Sequence, residues 1–366
     1  MGDFKPLLPL GGTTVLGRVA QTLRQAGVER VVVVTGHRAP EVEAHAAALG
    51  LESIFNPEYD AGMFGSLRRG LSALGQGADA ALLLPVDIPL VRPQTIRAAI
   101  RAQTPETAVA YPCFRGERGH PPVIAGRHIP FLLSWRGEGG MRGALDALER
   151  REPVLDVPVP DAGVLFDLDT PRDYAAALER APRLDTASQE EALALLDMHR
   201  VPPRGLAHAR AVAALALALA EALNAARGPA GPALDLECVT GAALLHDLAK
   251  GQPEHEKAGG HILECWGMER TARVVAAHRD VAVPGDGVLT ELEIVYLADK
   301  CMRGDRAVTI QERFWEKLRL YAQDPQAVAA ITGRLRNAQA MRRAFLAATG
   351  SDPEVLARAS AREALR

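Results

Sequence analysis

The sequence predicts a three-layer α/β domain followed by an all-helical domain, and three observations carry that prediction. At 366 residues the chain exceeds the usual size of one compact core, so two domains are expected. In the first half short β-branched runs alternate with helical patterns, which is α/β layering. From "DTASQEEALALLDMHR" onward the strand signal vanishes and alanine- and leucine-rich helices take over. Between them "ERAPRLDTAS" holds a helix-ending proline and a fresh capping pattern, which places the domains at 1–182 and 183–366.

Taken in order, "ERVVVVTG" reads as a strand, "APEVEAHAAALG" as a helix, "DAALLLPVDIP" as a strand with its loop, "RPQTIRAAIRAQ" as a helix and "TAVAYPC" as a strand. "VVVV" and "ALLLP" are apolar on both faces, the pattern of a parallel sheet covered by helices. "FDLDTPRDY" ends a strand and starts a helix, with Thr170 as cap, Pro171 in the first turn and Asp173 at the third position. In the second half "LAHARAVAALALALAEALNAA" and "CVTGAALLHDLAK" are helices. Past Arg306, "TIQERFWEKLRLYA" and "DPQAVAAITGRLRNAQAMRRAF" have helical period and read as packing and homodimer surface, with no chemistry assigned.

Composition narrows the function classes. Lys plus Arg number 42 against 45 Asp plus Glu, a formal charge of -3 with no long run of either sign. That balance argues against a dedicated nucleic-acid or anionic-membrane surface. Cys113, Cys238, Cys265 and Cys301 are scattered without CxxC pairing, so neither a zinc knuckle nor a disulfide framework is expected and a reducing cytoplasm suits them. The stretch "AVAALALALAEAL" is too short and alanine-rich to read as a membrane span, and the expected location is cytoplasmic.

Ligands of an open α/β sheet collect at the carboxyl ends of strands. Asp87 follows "ALLLP" between Pro85 and Pro89, placed to hold Mg²⁺ against nucleotide phosphates; alone, it reads first as a loop aspartate bonded to backbone amides. Asp167 and Asp169 stand just before the Thr170 cap, and capping does not account for them. In the helical half, His246 and Asp247 close an apolar helix, where unpaired buried polar groups cost about 1 to 3 kcal/mol each. Their candidate partners are His208, His255, His278 and Asp299, a mix of imidazole and carboxylate suited to Mn²⁺ or Fe ions. His261 faces elsewhere on its helix, and His199 reads as a helix-end residue.

Five ordered blocks, "MGDFKPLLPLGG", "NPEYDAGMFGSLRRGL", "LLLPVDIPLV", "GHPPVIAGR" with "GEGGMRGAL", and "FDLDTPRDY", resemble the molybdenum cofactor nucleotidyltransferases, MobA-like NTP transferases, and most of all their cytidylyltransferase branch. The resemblance runs to about Leu178. It implies a Rossmann-like domain that joins an NTP, CTP by the branch, to a phosphate-bearing acceptor such as molybdopterin and releases pyrophosphate. It also implies a molybdoenzyme maturation partner. By the same match Lys5 contacts phosphate, Asp87 binds Mg²⁺ and Asp167 or Asp169 completes the metal site. Asn56, Gly62, Met63 and Ser66 line the nucleotide side, and Gly119, His120 and Pro121 face the acceptor. In that family a strand and a LAAGxSxR-type loop precede the "MG…K" segment. The expectation is therefore a domain missing its first strand and glycine-rich loop, with weak or absent transfer activity and an exposed sheet edge.

The order H…HD…H…H…D, read as His208, His246 with Asp247, His255, His278 and Asp299, resembles the HD superfamily of metal-dependent phosphohydrolases. "LLHDLAKG", "HEKAGG" and "YLADKCMRGDR" look like the branch with the symmetrical diadenosine tetraphosphatases. This resemblance implies two metals bridged by Asp247, the later histidines on the second, and Lys250 or Arg306 on phosphate. The alternatives to a bifunctional enzyme are a regulatory nucleotide- or pterin-sensing protein and a sugar-phosphate nucleotidyltransferase.

Overall fold

Thr14 turns extended backbone into helix by accepting the Gly17 N–H, and Thr170 does the same by accepting the Asp173 N–H before Pro171–Arg180. The computed structural model describes residues 4–75, 77–229 and 231–363. Met1–Leu184 and Asp185–Arg366 form two units, each with its own core.

In the first unit a hairpin of β1 (Pro9–Leu10) and β2 (Thr13–Thr14) leads into α1 (Val15–Gln25). Next come β3 (Val32–Thr35), α2 (Ala39–Ala48), β4 (Glu52–Phe55), α3 (Met63–Leu74), β5 (Ala80–Leu82) and α4 (Pro93–Ala102). The unit is completed by β6 (Val109–Phe114), β7 (Glu117–Arg118), β8 (Val123–Ala125), α5 (Ile129–Ser134), α6 (Gly140–Glu149), β9 (Val154–Pro158) and α7 (Pro171–Arg180). Strand β6, buried along its whole length, is the hub: β7, β8 and β9 all pair with it, and β5 pairs with β8.

The fully parallel sheet expected from the apolar strands is corrected here to a mixed one. β3–β4 and β6–β9 are parallel, whereas β5–β8, β6–β8 and β6–β7 are antiparallel. The link from β6 to β8 is too short for a helical crossover, so β8 returns antiparallel. Among the described residues β3 and β4 form their own two-stranded sheet, which shares no ladder with the five-stranded one.

The second unit runs α8 (Gln189–Met198), α9 (Pro203–Arg227), α10 (Leu236–Leu245), α11 (His255–Cys265), α12 (Glu269–Ala277) and α13 (Glu291–Cys301). After a hairpin of β10 (Met302–Arg303) and β11 (Arg306–Ala307) come α14 (Ile310–Leu320), α15 (Pro325–Thr349) and α16 (Pro353–Glu363). The hairpin corrects the expectation of helix throughout: its two-residue loop places Gly304 at φ 58, which such a tight turn requires. Ser188 with Glu191, Thr290 with Glu293 and Thr309 with Glu312 form reciprocal capping boxes that start α8, α13 and α14, and each cap stabilises by about 0.5–2 kcal/mol.

Helix α9 extends well beyond the apolar stretch that looked too short for a membrane. Its 25 residues are long and apolar enough to cross one by length and composition alone, yet half of that apolar window is buried inside the unit. There Leu215, Ala216 and Leu219 pack with Val239, Leu245 and Leu297 in one core.

Candidate metal and phosphate sites

In the helical unit the site begins with three backbone carbonyls. His208 Nδ1 donates to Gly304 O at 3.0 Å, His246 Nδ1 to Ala243 O at 2.7 Å and His278 Nδ1 to Val275 O at 2.6 Å. A carbonyl only accepts, so each neutral ring carries its proton on Nδ1 and presents a lone pair at Nε2. In the fourth ring, His255, Nδ1 lies 3.3 Å from Glu256 Oε2, which is buried without a hydrogen-bond partner, and Nε2 lies 3.3 Å from Asp247 Oδ1.

These rings gather from four places in the chain. His208 comes from α9, His246 and Asp247 from the turn that ends α10, His255 from the start of α11, His278 from the end of α12 and Asp299 from the last turn of α13. Ring centres of successive pairs lie 5.2 Å (His208–His246), 5.3 Å (His246–His278) and 5.6 Å (His278–His255) apart. Their donor atoms fall into two groups, His208, His246 and Asp299, and Asp247, His255 and His278, each with all its atoms within 4.8 Å of one another. His246 Nε2 is buried without a hydrogen-bond partner. Leaving such a group unpaired is costly, and a cation is the partner that a basic nitrogen ringed by carboxylates fits.

The electrostatics prepare these ligands. Burial lowers the pKa of His246. Burial and the neighbouring His246 pull His278 down to about 4, so these two rings are neutral near pH 7. Burial alone would raise Asp247, but His246 and the Lys250 ammonium, 2.5 Å from Oδ2, bring it down to about 2. Asp299, also opposed by burial, is held well below the usual carboxylate range by the cations of Lys300 and Arg313.

A pH dependence follows for metal-free protein. The folded pKa of His278 lies below its ordinary 6.5, so the unfolded chain takes up the proton first. Stability is therefore complete above about pH 6.5 and falls as pH drops toward 4, by about 3 kcal/mol for this group, with Asp247 adding its loss only below that window. Denaturant melts in EDTA at pH 7, 5.5 and 4.5 measure it; a flat stability over that range would contradict buried neutral rings.

Three residues of this site escaped sequence reasoning. Glu256 stands beside His255 and is met by Arg279 at 3.3 Å; its place directly after a candidate histidine was the only signal. Lys300 bonds Asp299 Oδ2 at 2.6 Å. Arg313 bonds Asp299 Oδ1 at 3.2 Å, which corrects the assignment of no chemistry to "TIQERFWEKLRLYA". Of the two residues expected on phosphate, Lys250 lies on Asp247, and Arg306 is exposed on the hairpin whose Gly304 holds His208. His261 is exposed beside Glu264, and His199 is the C-cap residue of α8.

In the α/β unit the acidic residues meet where two loops join. Leu168 N donates to Asp87 O at 2.8 Å, which brings the "FDLD" run onto the "PVDIP" loop. Burial first, then the carboxylates of Asp87 and Asp169, raise the pKa of Asp167, with His120 and Lys5 opposing. Lys5 Nζ pairs with Asp169 Oδ1 at 2.8 Å, and the capping box of Thr170 and Asp173 starts α7 beside it. Buried Asn56 donates to Ser66 Oγ at 2.9 Å and accepts from Glu58 N. Gly62 takes φ 113 at the start of α3, where Met63 is largely exposed.

His120 N donates to Val164 O at 2.9 Å and its ring faces Leu83 O at 3.5 Å; Pro121 follows it through a cis peptide bond. A Cβ on Gly119 would come within 2.4 Å of Val164 O, a backbone atom that cannot swing away. Gly119→Ala should therefore destabilise this unit by about 1–3 kcal/mol and displace His120. Urea unfolding checks the cost, and a midpoint equal to that of the parent would contradict it.

The chain matches two families: the MobA-like NTP transferase domain over residues 1–153 and the HD domain over residues 205–304. It is similar to the molybdenum cofactor cytidylyltransferase of Escherichia coli (strain K12), 26% identical over 181 residues, covering 49% of this chain and 90% of that protein. The phosphoenolpyruvate guanylyltransferase of Rubrobacter xylanophilus is 31% identical over 164 residues, 44% of this chain and 76% of that protein. The bifunctional protein GlmU of Geobacter metallireducens is 32% identical over 98 residues, 27% of this chain; the chain spans only 21% of its length. The first match is to a nucleotidyltransferase domain and the second to an HD domain, both of them domains of enzymes. The chain belongs to the MobA-like NTP transferase family and carries an HD domain on the same polypeptide.

Proposed function

We propose that the α/β unit transfers a nucleotidyl group from CTP to a phosphate-bearing acceptor such as molybdopterin, releasing pyrophosphate, and that the helical unit hydrolyses a phosphate ester or nucleotide. The observation that carries the hydrolytic half is the partnerless Nε2 of His246 among five further ligand side chains. His208, His246 and Asp299 would hold one Mn- or Fe-type ion and His255 and His278 a second, with Asp247 between them. Such ions, when bound, supply Lewis acidity toward phosphate oxygens and acidify a water. The chain's own part is positional: carbonyls of Ala243, Val275 and Gly304 fix the tautomers, Glu256 stands beside His255 Nδ1, and Lys250 stands on Asp247 within reach of a phosphate.

For the transferase half the support is the joining of the Asp87 loop to the Asp167–Asp169 run, with Lys5 and His120 acting on the same carboxylate. Asp87 with Asp167 or Asp169 would hold Mg²⁺, and Lys5, released from Asp169, would neutralise the departing pyrophosphate. Transfer of this kind asks mainly for positioning and charge neutralisation. Asn56, Gly62, Met63 and Ser66 would face the nucleotide, and Gly119, His120 and Pro121 the acceptor. A cytoplasmic homodimer serving a molybdoenzyme maturation partner belongs to the same reading.

The activities of two of these relatives separate by assay. The chain with Mg²⁺, each of the four NTPs, and either molybdopterin or phosphoenolpyruvate should release pyrophosphate with CTP and molybdopterin. Release with GTP and phosphoenolpyruvate alone would replace the base and acceptor proposed, and no release with any pair would end the transferase reading.

A further inference from the structure

Asp299 is approached by more positive charge than one carboxylate neutralises. Its Oδ1 lies 3.4 Å from His208 Nε2 and 3.8 Å from His246 Nε2, so it is the oxygen facing the candidate ion-holding rings. The same oxygen accepts from Arg313 Nη2 at 3.2 Å, while Lys300 Nζ occupies Oδ2 at 2.6 Å. Lys300 is in turn fixed over the Tyr296 ring, 4.6 Å from its centre, and stays with Oδ2. Arg313 comes from a different element, α14, and Lys317 follows it by one turn on the same helix face. Burial of its head group, then the charges of Arg313 and Lys300, lower the pKa of Lys317, which places the three cations within one another's field. Nearby carboxylates already have partners, Glu256 in Arg279 and Asp280 in Arg334.

From this arrangement we infer that Arg313 and Lys317 form a phosphate-binding subsite that is released by metal occupancy of Asp299. An ion and a guanidinium compete for Oδ1, and like charges so close repel strongly in a partly buried site. Displaced from Oδ1, Arg313 keeps its donors beside the ion cluster, where a phosphate oxygen is the acceptor that satisfies both. Lys250 on Asp247 and the pair on α14 then flank the cluster with cations. The inference rests on the metal-dependent reading above, and adds residues from a helix outside the matched HD segment.

Isothermal titration separates the two claims, with Mn²⁺ and inorganic phosphate as probes. The parent should bind Mn²⁺, and phosphate only after Mn²⁺. Arg313→Gln should bind Mn²⁺ at least as tightly, since a competitor is gone, and phosphate about 10- to 100-fold more weakly, the range of a lost charge-assisted hydrogen bond. Arg313→Lys should restore part of that affinity. Lys317→Gln, which leaves Asp299 untouched, should weaken phosphate binding alone, and it keeps the test open if the Arg313 variants fold poorly. Weaker Mn²⁺ binding by Arg313→Gln would make Arg313 a structural prop and overturn the inference, as would unchanged phosphate affinity in both variants. A parent that takes up no Mn²⁺ would overturn the metal reading and this inference together.

Discussion

Asp247→Asn should lower hydrolysis of phosphate substrates by on the order of 10³-fold and reduce bound divalent metal, while the helical unit stays folded. Loss of an outer-shell partner typically costs 10–100-fold, and a residue set between both ligand groups should exceed that. Asp247 lies 3.5 Å from His246 Nε2, 3.9 Å from His208 Nε2 and 3.3 Å from His255 Nε2, so its charge is the one shared by both groups. Asparagine keeps the shape and removes the charge, leaving Lys250 without its counter-ion at 2.5 Å. Metal per chain by elemental analysis, together with phosphate release, measures the effect. A variant with full metal content and parental turnover would show that the cluster is a buried polar network and no more.

Asp161→Ala should destabilise the α/β unit by about 3–5 kcal/mol, the usual result of leaving one member of a buried ion pair alone. Asp161 and Arg92 are each about 98–99% buried, 3.2 Å apart. The same carboxylate also accepts from Arg92 N, Thr95 Oγ1 and Gly163 N. It thereby ties the start of α4 to the turn Ala162–Leu165, whose Val164 carbonyl holds His120. Asp161→Asn, which keeps the acceptor, should lose less. Urea unfolding with the variants side by side gives the order parent, Asn, Ala; equal midpoints for parent and Ala would mean that the pair contributes nothing.

The reach of the sequence is clearest where a local rule and the tertiary structure agree. Helices such as α4, with Pro93 at its start and Ile96 and Ala99 on its buried face, are written in spacing and caps. The type and order of His208, His246, Asp247, His255, His278 and Asp299 were legible because buried titratable groups on apolar helices need partners, and the fold brings those residues together. Strand direction was not legible, since an apolar run such as β6 looks the same in either sense; the short return to β8 decides it. The Gly304 hairpin was hidden among helical patterns because two residues per strand are too few to show a period. Arg92 with Asp161, and Arg313 with Asp299, pair across 69 and 14 positions, and no local pattern announces a partner at that distance.

Crystals of the full chain soaked in Mn²⁺ and measured at the manganese absorption edge put the account to its most direct test. Two anomalous peaks are expected in the helical unit, one bounded by His208, His246 and Asp299 and the other by His255 and His278, with Asp247 reaching both. No peak at His246 Nε2 under saturating Mn²⁺, or manganese found only on surface carboxylates, would contradict it.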